Sequence, residues 1–210
     1  MRVVLIAITL VCAVTPVVGQ HEHGGPGGLP AGWHARRDNK PADAELEGVQ
    51  FMSMGNAFHV MMGMTNATFW NPQNVAKGEF ELSATFNQTK KPEMHAEGYG
   101  LVFNGANLDQ PNQSYVYFLV KDGQYLINHR AGEDVHKIVP WTANEAIANP
   151  DASGRSTNTL SVQVKGNDVN YLVNGKVVHT QQRDHINPDG IVGLRVNMHL
   201  DMHISDFKVK

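Results

Sequence analysis

The sequence predicts an all-β protein built as a two-sheet antiparallel β-sandwich, and three observations carry that prediction. Short runs alternate apolar and polar residues with period two, two-residue turn signals separate several of them, and no run keeps helical periodicity over three turns.

The turn signals are Asp122-Gly123, Gly166-Asn167 and Asn174-Gly175, residue pairs that supply the positive φ a tight hairpin requires. Counting outward from Gly166-Asn167 pairs Val164 with Val169, Val162 with Tyr171 and Leu160 with Val173. From Asn174-Gly175 the same count sets Val178 opposite Tyr171 and His179 opposite Asn170, so three strands form a meander. Residues 78–87 place Phe80, Leu82, Ala84 and Phe86 on one face and Glu79, Glu81, Ser83 and Thr85 on the other. The last strand sets Leu200, Met202 and Ile204 against His199, Asp201 and His203. A bulge near Ser205-Asp206 is expected to return Phe207 and Val209 to the inner face. The one expected helical element is a short turn at Thr142–Ala148. Met52 and Met54 share a strand face, as do Met62 and Met64, which reads as deformable core filling.

Residues 1–19 read as a signal peptide: Arg2, an apolar run from Val3 to Val14, and small side chains before a cut after Gly19. That run is short for a membrane span, and no later segment resembles a transmembrane helix. The expected destination is secreted or periplasmic. Cys12, the one cysteine, falls in the removed segment, so disulfides cannot contribute and packing must supply stability. Residues 20–31 form a His/Gly-rich leader, and 32–210 a single domain. A net charge of -3 offers no basic footprint for nucleic acid.

The Asp122-Gly123 register divides its hairpin into two faces. Val116, Phe118, Val120, Tyr125, Ile127 and His129 form the core side, while Tyr115, Tyr117, Leu119, Leu126, Asn128 and Arg130 point the other way. The second set mixes aromatic rings with planar hydrogen-bonding groups, as a saccharide-binding surface does. Arg195 and Asn197 alternate away from Leu194 and Val196 and join that face, with Trp70 from an adjoining strand. The competing reading is a face covered by loops, its tyrosines packed and Arg130 capping their hydroxyls.

Two other chemistries are considered. His199, Asp201 and His203 could hold Zn, Cu or Fe, although alternate strand residues lie roughly 6.5–7 Å apart and one ion would require a bend. Cleavage after Gln20 would expose His21-Glu22-His23 as a Cu(II) chelate, and loops could hold Ca. Paired carboxylates for sugar hydrolysis stand roughly 5–5.5 Å apart in retaining enzymes. Glu79 with Glu81, and Glu93 with Glu97, are the available pairs, and neither carries a motif.

GYGLVFNG at 98–105, YVYFLVKDGQYLINHRAG at 115–132, NTLSVQVKGNDVNYLVNGKVV at 158–178, and the closing GIVGLRVN and HISDFKV resemble the jelly-roll sandwich of concanavalin A-like (laminin G-like) lectins and glucanases. The stretch is similar in particular to secreted bacterial domains of the 3-keto-disaccharide hydrolase type. The resemblance implies a saccharide or cell-envelope glycan as partner. It lacks the Glu-x-Asp-x-Glu strand of laminarinase-like hydrolases and the Asn-Gly-Lys-Asp-Leu opening of the keto-disaccharide type, which favours binding over catalysis.

Overall fold

The computed structural model describes residues 28–95 and 97–210; the stretch expected to be a signal peptide and most of the expected leader, including His21 and His23, lie outside the described residues. Two seven-stranded sheets face each other, with every strand pair antiparallel. Sheet A runs, in spatial order, β1 (His34–Arg37), β4 (Ala67–Ala76), β13 (Gly190–Val196), β6 (Tyr99–Ala106), β7 (Ser114–Lys121), β8 (Gln124–Ala131) and β9 (Asp134–Ala143). Sheet B runs β12 (Lys176–Gln182), β11 (Asp168–Val173), β10 (Ser156–Lys165), β5 (Phe80–Gln88), β14 (Asp201–Val209), β3 (Ala57–Met62) and β2 (Val49–Met54). No helix among the described residues is long and apolar enough to cross a membrane.

The main core lies between the sheets and consists of the residues that alternation turns inward. Val116, Phe118, Val120, Tyr125 and Ile127 from the β7–β8 hairpin meet Leu82, Ala84 and Phe86 of β5, and Leu160, Val162 and Tyr171 of the meander. Phe118 and Tyr171 pack edge to face, 5.3 Å between ring centroids, a geometry aromatic pairs favour. His129 is the exception on that side: half-buried near the β8 end, it meets the Ser114 hydroxyl at 2.9 Å.

The turns set register as expected up to the first irregularity. Asp122, Gly123, Gly166, Asn174 and Gly175 all have positive φ, and the β10–β11 pairs are those counted from the sequence. Along β11–β12 a bulge intervenes: Leu172 faces Val177, but Tyr171 faces His179 and Asn170 faces Thr180. Val178 is the extra residue. It packs against the core, and its carbonyl accepts a hydrogen bond from the Tyr125 hydroxyl at 2.9 Å. An inward valine and a polar partner above it are satisfied together by the slip, which a count from the turn does not anticipate.

The β14 bulge forms between Ser205 and Lys208, with Asp206 at φ 55°, and Phe207 and Val209 return to the core. Thr142–Ala148 is not helical: β9 continues to Ala143, and a turn follows in which the Asn144 side chain accepts from the Ala146 N–H at 2.9 Å. Only Met62 of the four methionines behaves as core filler; Met52, Met54 and Met64 are exposed because the edge strand β2 and the loop after β3 leave them uncovered.

Candidate functional site

A second, smaller apolar cluster sits on the outer face of sheet A. It joins Trp70, Val102, Leu108, Tyr115, Tyr117, Leu119 and Leu126. Cross-strand pairing sets Tyr115 opposite Arg130, Tyr117 opposite Asn128 and Leu119 opposite Leu126, while Arg195 on β13 lies opposite Thr68 on β4. The Arg195 guanidinium stacks 5.0 Å from the Tyr117 ring centre and donates to the Tyr115 hydroxyl at 3.2 Å. Six of the seven residues singled out in the sequence gather here, while Asn197 follows the end of β13 and binds the Gly98 carbonyl through its backbone N–H; six of the seven are buried, and only Asn128 is half-buried. Tyr115 and Trp70, each 2% exposed, turn no ring face to solvent, and act as packing beneath the site.

The segment after β1 covers one end of this face, and Asp38 fixes it there. Arg195 donates from Nη1 and Nη2 to the two Asp38 oxygens at 3.0 and 2.6 Å, and Arg130 approaches the same carboxylate at 3.4 Å. Burial alone would raise the Asp38 pKa, but the Arg195 charge and hydrogen bond, with Arg130 and Asn66, hold it below the ordinary carboxylate range. Burial likewise pulls Arg195 down, and Asp38 more than offsets it.

Asp201 in sheet B is also held low, its burial outweighed by hydrogen bonds from His59, Thr89 and Lys90. A carboxylate with a depressed folded pKa stabilises the protein above its unfolded pKa and loses that contribution as pH falls through the folded value. Stability is therefore expected to decline in two stages as pH falls, first below about pH 6.5, where His129 and His179, both held low by burial, take up protons more readily in the unfolded chain, and again below about pH 4 as these carboxylates protonate. Urea midpoints measured across that range check this, and Asp201→Asn is expected to flatten the second stage.

The open part of the face lies further along β7, β8 and β9. Trp141 on β9 is 37% exposed, with the Lys121 ammonium 5.2 Å from its ring centre. Gly98 makes room for it, since a Cβ there would stand 2.8 Å from the Trp141 ring edge and 3.2 Å from the Leu119 Cβ. Asn128 donates from Nδ2 to the Tyr117 hydroxyl at 3.0 Å, while its Oδ1 has no hydrogen-bond partner among the described residues. Exposed Lys137 is its cross-strand neighbour. Lys121 also borders a cleft of about 320 Å³ at the end of the sandwich, together with Gln88, Glu97, Tyr99 and Asn158. Sequence reasoning missed Trp141 because it adjoins the stretch read as a helical turn. The one signal was composition, since Val135, Ile138, Val139, Trp141 and Thr142 are strand-favouring residues, but they do not alternate and Pro140 interrupts them.

His199, Asp201 and His203 do not converge on an ion. Asp201 Oδ1 is taken by His59 Nε2 at 2.8 Å and Thr89 Oγ1 at 2.7 Å, and its other oxygen faces Lys90 at 3.2 Å. His203 lies opposite His59, and His199 precedes the strand at φ 63°. Among the described residues no three His, Cys, Asp or Glu side chains group as metal ligands. The acidic residues are likewise dispersed. Glu79 accepts from the Gly166 N–H at 2.8 Å and Glu81 faces Gln163, both in the sheet B region, whereas Glu97 meets Asn66 Nδ2 at 3.4 Å beside sheet A.

This sandwich has the architecture of the concanavalin A-like lectins and glucanases. It is similar to the carbohydrate-binding module CBM66 from Bacillus subtilis, at 12% identity and a TM-score of 0.56, over 85% of this chain and 95% of that one. It is also similar to the exoplasmic/lumenal domain of VIP36 in its Ca2+/Man-bound form, at 9% identity and a TM-score of 0.59, over 91% and 90% of the two chains. The Emp47p carbohydrate recognition domain matches at 14% identity and a TM-score of 0.51, over 86% of this chain and 88% of that one. No family model and no curated protein matches the chain in sequence.

Proposed function

We propose that this is a secreted or periplasmic, non-catalytic domain that binds a saccharide of the cell envelope or its surroundings on the outer face of sheet A. The observation that carries this reading is the exposed Trp141 ring on that face, with the Lys121 ammonium 5.2 Å from its centre. An exposed ring offers a flat apolar surface to pyranose C–H groups, and an ammonium beside it offers N–H donors to hydroxyls. Tyr117, Arg195 and the rest of the buried cluster form the floor that keeps these groups in place. The solved structures similar to this chain include a carbohydrate-binding module and a mannose-bound lumenal domain, which supports the same reading. Retention of saccharides on a glycan array, lost in Trp141→Ala, is the test.

A sugar hydrolase or lyase is the second reading, favoured by Glu97, whose half-buried carboxylate borders the end cleft. Turnover of a disaccharide by the purified protein, abolished in Glu97→Gln, would replace the binding reading with this one.

A further inference from the structure

Two guanidinium groups at the covered end of the face are short of partners. Arg130 is 6% exposed, yet its closest polar contacts are Asp38 at 3.4 Å and the Gly132 carbonyl at 3.5 Å, and its Nε is buried without a partner among the described residues. Arg36 donates from Nη1 to the Leu108 and Gln110 carbonyls at 3.2 and 2.7 Å, and its Nε is also buried and unpartnered. A guanidinium has five N–H donors, and leaving them unused inside a protein is costly. Asp38 accepts two close bonds from Arg195 and reaches Arg130 only at 3.4 Å. Arg36 sits below its ordinary pKa, chiefly through burial and in part through the charge of Arg130, so the two cations sense each other.

A cavity of about 370 Å³ opens beside Arg36, bordered also by Lys40, Gln113 and Gly132; Arg130 does not line it. Lys40 is tied to Glu45 at 2.6 Å. Asp109 and Glu133 stand on the same rim, Asp109 accepting from the Gln110 amide at 2.9 Å and Glu133 exposed on the hairpin. The rim thus alternates in charge over a floor with surplus positive charge. A bare anion would meet the two carboxylates, whereas a saccharide could set hydroxyls against them.

We propose that this cavity takes the oxyanion of an acidic saccharide, a uronate carboxylate or a sulfate ester, at the guanidinium of Arg36, with buried Arg130 adding positive charge from beneath. The oxyanion contacts Arg36, which lines the cavity, while Arg130, 3.5 Å from the Gly132 carbonyl, contributes charge without contact. Guanidinium matches such groups with paired, charge-assisted hydrogen bonds. The inference rests on the saccharide-binding reading and adds to it the chemical class of ligand.

The test is an array carrying uronate, sulfated and neutral oligosaccharides, followed by titration with the best acidic ligand and, for a uronate, its methyl ester. Binding of the acidic form is expected to be about tenfold tighter than that of the ester or desulfated form, and to weaken in about 0.5 M salt. Arg36→Gln should weaken it about tenfold at unchanged Trp141 fluorescence, and Glu133→Gln, an exposed change remote from the core, should tighten it roughly two- to threefold. Preference for uronates over sulfates, or the reverse, names the source of the oxyanion. Equal binding of charged and uncharged forms, lost in Trp141→Ala, would overturn this inference and leave saccharide binding standing. An array that retains nothing would overturn both.

Discussion

Asp38→Ala is expected to lower the unfolding free energy by roughly 3–5 kcal/mol, the cost of leaving a buried cation without its counter-charge. Arg195 is 3% exposed and surrenders two short hydrogen bonds in this variant, and Arg130 loses its one carboxylate neighbour. Denaturant titration measures the loss. Removing Arg195 in the same molecule, as Asp38→Ala with Arg195→Met, should recover part of it, because no unpaired charge is then left behind. A single-variant loss below about 1 kcal/mol would place Asp38 among ordinary surface pairs and remove the clamp that closes this end of the face.

Trp141→Ala carries the second large effect, on binding and not on folding. A central aromatic anchor commonly accounts for about 2 kcal/mol or more, roughly a thirtyfold loss of affinity. Because the ring is 37% exposed and outside both apolar clusters, the midpoint of denaturation should move little. Tyr117→Ala is a poorer probe: at 6% exposure its ring supports Arg195 and Asn128, so affinity and stability would fall together. Wild-type affinity in Trp141→Ala would move the site away from this part of the sheet.

Much of the architecture was legible because local signals specify it. A turn that needs positive φ pins the two strands beside it, and alternation then assigns each side chain to a face, as at Phe80–Phe86 and along β7 and β8. What local signals do not specify is where pairing slips. Val178 is accommodated only because Tyr125, 53 positions away, donates to its carbonyl. Alternation also says which face a residue occupies and not what covers that face. Tyr115, Trp70 and Arg195 are all on the predicted side and all buried; Arg195 is covered by a distant segment that Asp38 anchors through a contact spanning 157 positions. The same limit explains His199, Asp201 and His203: spacing suggested a shared ion, but the carboxylate is engaged by His59 from the neighbouring strand. The methionines at 52, 54 and 64 show the converse, apolar residues in a strand-like pattern that no second layer covers.

The most direct test of saccharide binding on the outer face of sheet A is a glycan array probed with the protein in the presence and absence of EDTA. Reproducible retention of one glycan class, equal in both conditions and lost in Trp141→Ala, is the predicted result. Absence of retention in both conditions, or hydrolysis of the arrayed sugars, would contradict the account.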